Sequence, residues 1–120
     1  MKVIFNNIIP FKGFLAINIF GILYVRKDVY EKVMKRHKDD GYWDIVLNHE
    51  EIHTKQMKEL LFIFFYLWYF IEWLIKCVRY FDAHKAYRMI SFEQEAYKHE
   101  KELKYLENRK HYDWIKYVFH

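Results

Sequence analysis

The sequence predicts a single α+β domain in which a small N-terminal sheet precedes a run of helices. Three observations carry that expectation. Branched and apolar residues fall into two short runs within the first 25 positions, separated by Pro10 and Gly13. No glycine or proline occurs after Gly41, so the remainder lacks the strongest breakers and reads as helical. The length of 120 residues allows one modest core and no second one.

Taken in order, residues 3–9 are expected as a strand, and Pro10 to Gly13 supply turn chemistry. Residues 15–25 form a second β-favouring run, with Gly21 marking a bulge. Asp28 is placed to cap a short helix over residues 29–37, where Val29, Val33 and Met34 share a face. Asp39-Asp40-Gly41 then breaks the chain. Asp44 is the expected N-cap of a helix running through Ile45, Ile52, Met57 and Leu61. Weaker breaks fall at Asp82, Ser91 and Asn108. Ser91 with Gln94 has the form of a capping box, opening a helix whose apolar stripe is Phe92, Ala96, Leu103 and Leu106.

Between these helices, residues 60–75 carry a single charge, Glu72, and residues 60–78 are expected as an apolar, aromatic-rich helix. A spanning helix needs about 20 apolar residues, and this stretch is shorter. Three readings stay open: a buried core helix, an interfacial or re-entrant membrane helix, and a true span. Tyr66, Trp68, Tyr69 and Trp73 suit an interface, because amphipathic rings settle where apolar and wet regions meet.

Bulk composition excludes several classes. At 22% aromatic, the chain has too much apolar surface to be disordered. The net charge of +4 is spread among acids and forms no basic block, so nucleic acid is not an expected partner. Weak attraction to an anionic membrane surface is at least as consistent with it. The single cysteine, Cys77, rules out an internal disulfide, fits a reducing compartment and reads as core filler. After Lys2, the polar Asn6, Asn7 and Lys12 and the breaker Pro10 interrupt any secretory h-region. The expected location is cytoplasmic or membrane-associated.

The chemistry concentrates in His49-Glu50-Glu51-Ile52-His53. Residues four apart on a helix lie on one face, so both imidazoles can converge on one cation. At 100° per residue, Glu50 falls beside His53 on the same side and Glu51 points away. Geometry thus nominates Glu50 as the carboxylate next to a water on the metal. From this chain's own composition the motif has a chance expectation of roughly 0.03, well above noise. Catalytic zinc takes three protein ligands and leaves one position open, and the segment from Ser91 to Tyr97 offers Glu93 or Glu95 as the third.

His49-Glu50-x-x-His53 followed by Glu93-x-x-Ala96 resembles the gluzincin metallopeptidases, especially their minimal members and the membrane-linked CaaX-protease group. The match covers residues 44–58 and 90–100. The resemblance implies a zincin-like fold, with small antiparallel strands packed on an active-site helix. It implies Zn2+ held by His49, His53 and Glu93, with Glu50 as general base. Glu95 competes with Glu93, since it lies nearer the apolar stripe and pairs at i, i+4 with His99. The aspartate that follows the alanine in the family is Tyr97 here, which removes the expected partner of a histidine ligand. Such changes typically cost 10–100-fold in affinity or activity.

The expected activity is zinc-dependent hydrolysis of a peptide or protein substrate. A zincin-like module that holds metal without cleaving is the alternative, and a membrane-surface adaptor with incidental histidines is a third reading. Tyr87, Arg88, His84, Tyr97 and His99 flank the second half-site as candidate oxyanion or carboxylate partners. His37, His111 and His120 are expected to face solvent.

Overall fold

The fold begins with a two-residue hairpin rather than a bulge. In the computed structural model, which describes residues 1–38 and 40–119, the run 15–25 divides into β2 (Ala16–Ile19) and β3 (Ile22–Arg26). Ile19 pairs with Ile22 across the turn, and both turn residues have positive φ, 52° at Phe20 and 87° at Gly21. That is the turn whose twist matches antiparallel strands, and it favours glycine at its second position. A Cβ at Gly21 would also meet Thr54 Cγ2 at 3.3 Å.

The first strand, β1 (Lys2–Asn6), pairs in parallel with β3, giving the order β1-β3-β2. The sheet is therefore mixed, not antiparallel as expected, because the hairpin inserts its second strand against β1. β1 stops short of residue 9 because the Asn6 side chain accepts hydrogen bonds from the amides of Ile8 and Ile9, forming a local turn. Leu23 and Val25 of β3 are fully buried.

Helix α1 (Lys27–Arg36) follows directly and buries no residue completely. Asp28 lies in its first turn instead of capping it, and pairs with Arg26 at 2.9 Å. Asp39 and His120 lie outside the described residues. Helix α2 (Tyr42–Glu59) starts after Gly41 at φ 76°, and Asp40, not Asp44, accepts the Tyr42 amide at 3.0 Å. Its buried positions are Asn48, His49, Ile52, His53, Gln56 and Met57, the single face that helical spacing produces. Asn18 of β2 fastens the sheet to this helix, donating to the Glu50 carbonyl and to Thr54 Oγ1.

The chain then bends by 108° through Leu61 and Phe62, both at positive φ, into α3 (Ile63–Tyr80). This helix is not the buried core helix that one reading allowed. Its fully buried residues are Phe65, Glu72 and Lys76, whereas Ile63, Phe64, Leu67, Phe70, Ile71, Leu74, Ile75 and Val78 are exposed. Among the described residues, no single helix is long and apolar enough to cross a membrane.

The inward polar groups of α3 are satisfied. Glu72 accepts from the Ser91 amide and hydroxyl at 2.7 and 2.6 Å, and Lys76 donates to the Met89 and Val118 carbonyls. The break expected at Asp82 is an N-cap, its side chain accepting the His84 and Lys85 amides at the start of α4 (Ala83–Arg88). In α5 (Ser91–His99) the capping box does not form, because Glu72 has taken the Ser91 hydroxyl and Gln94 turns to Met89 and Tyr117. The helix ends before Leu103, which is exposed. A short α6 (Tyr105–Asn108) and a 3-10 turn (Asp113–Tyr117) close the chain. Met57, Phe65, Ile90, Phe92 and Trp114 form the core where α2, α3 and α5 meet.

Candidate metal centre

One turn of α2 places His49 and His53 side by side, and the first turn of α5 brings Glu93 to them. Three atoms converge. His49 Nε2 and His53 Nε2 are 3.1 Å apart, and both face the same oxygen, Glu93 Oε1, at 3.2 and 3.0 Å. All three residues are buried, and as a group they could hold a metal ion.

Hydrogen bonding alone does not account for this triangle. Each Nε2 carries at most one proton and the carboxylate oxygen carries none. Whichever way those protons are assigned, one of the three contacts sets hydrogen against hydrogen or lone pair against lone pair. A cation between the three atoms makes every contact attractive. A tetrahedral ion with bonds of about 2 Å separates its ligand atoms by about 3.3 Å, close to the distances found.

The groups behind the ligands fix which atom each presents. Gln56 Nε2 donates to Glu95 Oε1 at 2.9 Å and to the Phe92 carbonyl at 3.1 Å. Its oxygen therefore faces His53 Nδ1 at 2.8 Å and must accept a proton from it, which leaves the Nε2 lone pair for the cation. Glu100 Oε2 lies 3.4 Å from His49 Nδ1 and acts on that ring in the same sense. Tyr69 donates to Glu93 Oε2 at 2.7 Å, so that carboxylate offers its other oxygen inward. Gln56 and Glu100 thus stand where the aspartate replaced by Tyr97 was expected to act. Tyr97 itself packs edge-on against His49, with ring centroids 4.6 Å apart.

Glu95 is fully buried and belongs to a separate network. It accepts from Gln56, Tyr105 and Arg109, and Arg109 also forks onto Glu59 at 2.9 and 3.0 Å. Glu95 is linked to the cluster through Gln56. His99 bonds Glu102 at 2.6 Å rather than pairing with Glu95. Arg88 stacks over the Tyr97 ring at 3.7 Å, and His84 sits near Tyr87. Away from the site, His37 is half-buried, stacked on Tyr42 and bonded to Asp40, whereas His111 is exposed.

Electrostatics follow from this crowding. Burial by itself would lower the His53 imidazole, but the Glu93 carboxylate overrides it and, with Glu50, pushes it up to about 9. Burial would raise Glu93, yet the imidazoles of His53 and His49 hold it well below the usual carboxylate range. Burial pushes the Glu50 carboxyl up, against the pull of His53 and His49. Burial and the nearby Glu93 charge raise the hydroxyls of Tyr69 and Tyr87.

Glu50 and the triad border a cavity of about 690 Å³ floored by β2 and walled by α2, α3 and Tyr87. That volume lies within the range of small-molecule and cofactor sites. Glu51 points away, 3.7 Å from the Met1 amine. Gln56, Tyr69 and Glu100 are the residues that sequence reasoning missed. Gln56 follows His53 by three positions and so shares its helical face, a signal that was available. Tyr69 and Glu100 arrive through tertiary closure and left no local trace. No family model, curated protein or solved structure matches this chain.

Proposed function

We propose that the chain is a minimal gluzincin-like zinc peptidase, with His49, His53 and Glu93 as ligands and Glu50 as general base. The observation that carries this reading is the convergence of the three ligand atoms at 3.0 to 3.2 Å on the wall of a cavity that Glu50 also lines. Two imidazoles and one carboxylate suit zinc among divalent ions. When bound, zinc would supply Lewis acidity towards a carbonyl oxygen and lower the pKa of water.

The remaining steps belong to the chain. β2 is an edge strand along the cavity floor, where an extended peptide can lie against it. Glu50 takes a proton from the attacking water and passes it to the departing amine. Burial raises its carboxyl, which makes it a stronger proton acceptor than an exposed carboxylate. Tyr87, whose hydroxyl bonds Tyr97 at 2.9 Å and which lines the cavity, is the donor best placed for a developing oxyanion.

Glu50→Gln tests the reading. The variant is expected to keep metal and lose hydrolysis of a peptide library by about 10²-fold or more. Turnover retained in that variant removes Glu50 from the mechanism, and zinc binding without turnover in the wild type leaves a metal-holding module.

A further inference from the structure

Helix α3 leaves much of its apolar surface outside. Its buried residues are Phe65, Glu72 and Lys76, and its outer side carries Ile63, Phe64, Leu67, Phe70, Ile71 and Leu74, continued by Ile75 and Val78. At 100° per residue, the exposed residues from Phe70 round to Trp68 fill an arc of about 160°. Arg79 lies at the edge of that arc, and no charged residue lies within it. An apolar arc of this size on an exposed helix marks an interaction surface.

We propose that this face lies flat in the headgroup–acyl boundary of an anionic bilayer. Two observations select lipid over a second copy of the chain. The arc is wider than the apolar stripe of about 100° by which a helix packs on a neighbour, so one partner helix would leave part of it wet, whereas a lipid surface accepts its full width. In sequence, exposed cations bracket the stripe, with Lys55 and Lys58 before it and Arg79 and Lys85 after it; the exposed Asp82 falls between the last two, and Glu72, the one acid between Glu59 and Asp82, is buried. That pattern complements anionic headgroups. Among the described residues no single helix is long and apolar enough to cross a membrane, and the 18 residues of α3 give about 27 Å of length parallel to the surface.

The same face runs into the cavity. Ile63, 70% exposed on the outer face, also lines the cavity beside the triad. Phe20, 54% exposed, packs on Phe62 and Tyr66 with centroids 6.1 and 5.3 Å apart and extends the apolar surface to the hairpin. The cavity mouth is thus placed at the lipid surface. Resting on the peptidase reading, this makes the substrate class a protein segment emerging from, or lying on, the bilayer.

The test is flotation of the full chain with vesicles of phosphatidylcholine and phosphatidylserine, beside phosphatidylcholine alone. The wild type is expected to float with the anionic vesicles and less with the neutral ones. The double variant Phe70→Glu, Leu74→Glu, both residues more than 40% exposed, is expected to bind at least about tenfold more weakly while keeping its circular dichroism. Quenching of wild-type tryptophan fluorescence by brominated lipid gives a measure independent of any variant. Wild-type chain that stays in the buffer overturns the proposal, whether it sediments as a dimer or a monomer, and so does a folded variant that floats like the wild type. Neither readout involves metal, so flotation can fail while Glu50-dependent cleavage of soluble peptides survives, and the reverse.

Discussion

Replacing Gln56 with methionine removes the acceptor of His53 Nδ1 while nearly conserving side-chain volume. In the wild type that proton goes to Gln56 Oε1 at 2.8 Å, and the amide cannot turn over because its nitrogen is held by Glu95 and the Phe92 carbonyl. Without it, His53 is free to place its proton on Nε2, the atom the cation requires. The loss is expected at 10–100-fold in zinc affinity, or about 1.4–2.7 kcal/mol. Folding stability should also fall by about 1–3 kcal/mol, because Glu95 and the Phe92 carbonyl lose a buried donor. Competition with a chelator of known affinity measures the first, and urea unfolding of the metal-free chain the second. A folded variant that binds zinc within twofold of the wild type would refute the claim that Gln56 sets the His53 tautomer.

Two further expectations follow from the charges. Arg109→Met strips the cation from Glu59 and Glu95, whose side chains are 7% and 0% exposed; a loss of about 3–5 kcal/mol is expected in urea unfolding, and a loss below about 1 kcal/mol would show those carboxylates to be satisfied without it. The His53 imidazole is raised from 6.5 to about 9, so its contribution to the metal-free fold is complete below pH 6.5 and is lost as pH rises through 9. Glu93, lowered from 4.5, contributes above pH 4.5 and loses that contribution as pH falls further. Metal-free stability should therefore decline between pH 6.5 and 9 while zinc affinity rises, because the ion displaces the His53 proton. Parallel unfolding curves with and without zinc measure both trends, and stability constant over that range contradicts the assignment.

Sequence patterns reached the site more completely than the sheet. His49 and His53 were legible because a four-residue spacing is a property of the helix itself. The nomination of Glu93 rested on motif resemblance, and its convergence with the histidines is made by the packing of α5 on α2. The sheet was misread for a physical reason. Strand propensity locates runs such as 15–25 but carries no information on which neighbour β1 will meet. Phe20-Gly21 is an uncommon pair at a two-residue turn, held by packing of Phe20 on α3. The caps at Asp44 and Ser91 failed in different ways. Asp40 lay closer to the true start of α2, and Glu72, distant in sequence, claimed the Ser91 hydroxyl. The apolar run from residue 60 was conspicuous, yet which of its faces turned inward was decided by Glu72 and Lys76 finding partners in α5 and the C-terminal segment.

Zinc content after equilibrium dialysis is the most direct test of the centre. It should be measured on the wild type beside His53→Ala, Glu93→Ala and Glu95→Ala. The account predicts one ion per wild-type chain, none retained by the first two variants, and weakened but stoichiometric binding by the third. A wild-type chain that takes up no zinc, or a Glu93→Ala variant that binds it as the wild type does, would contradict it.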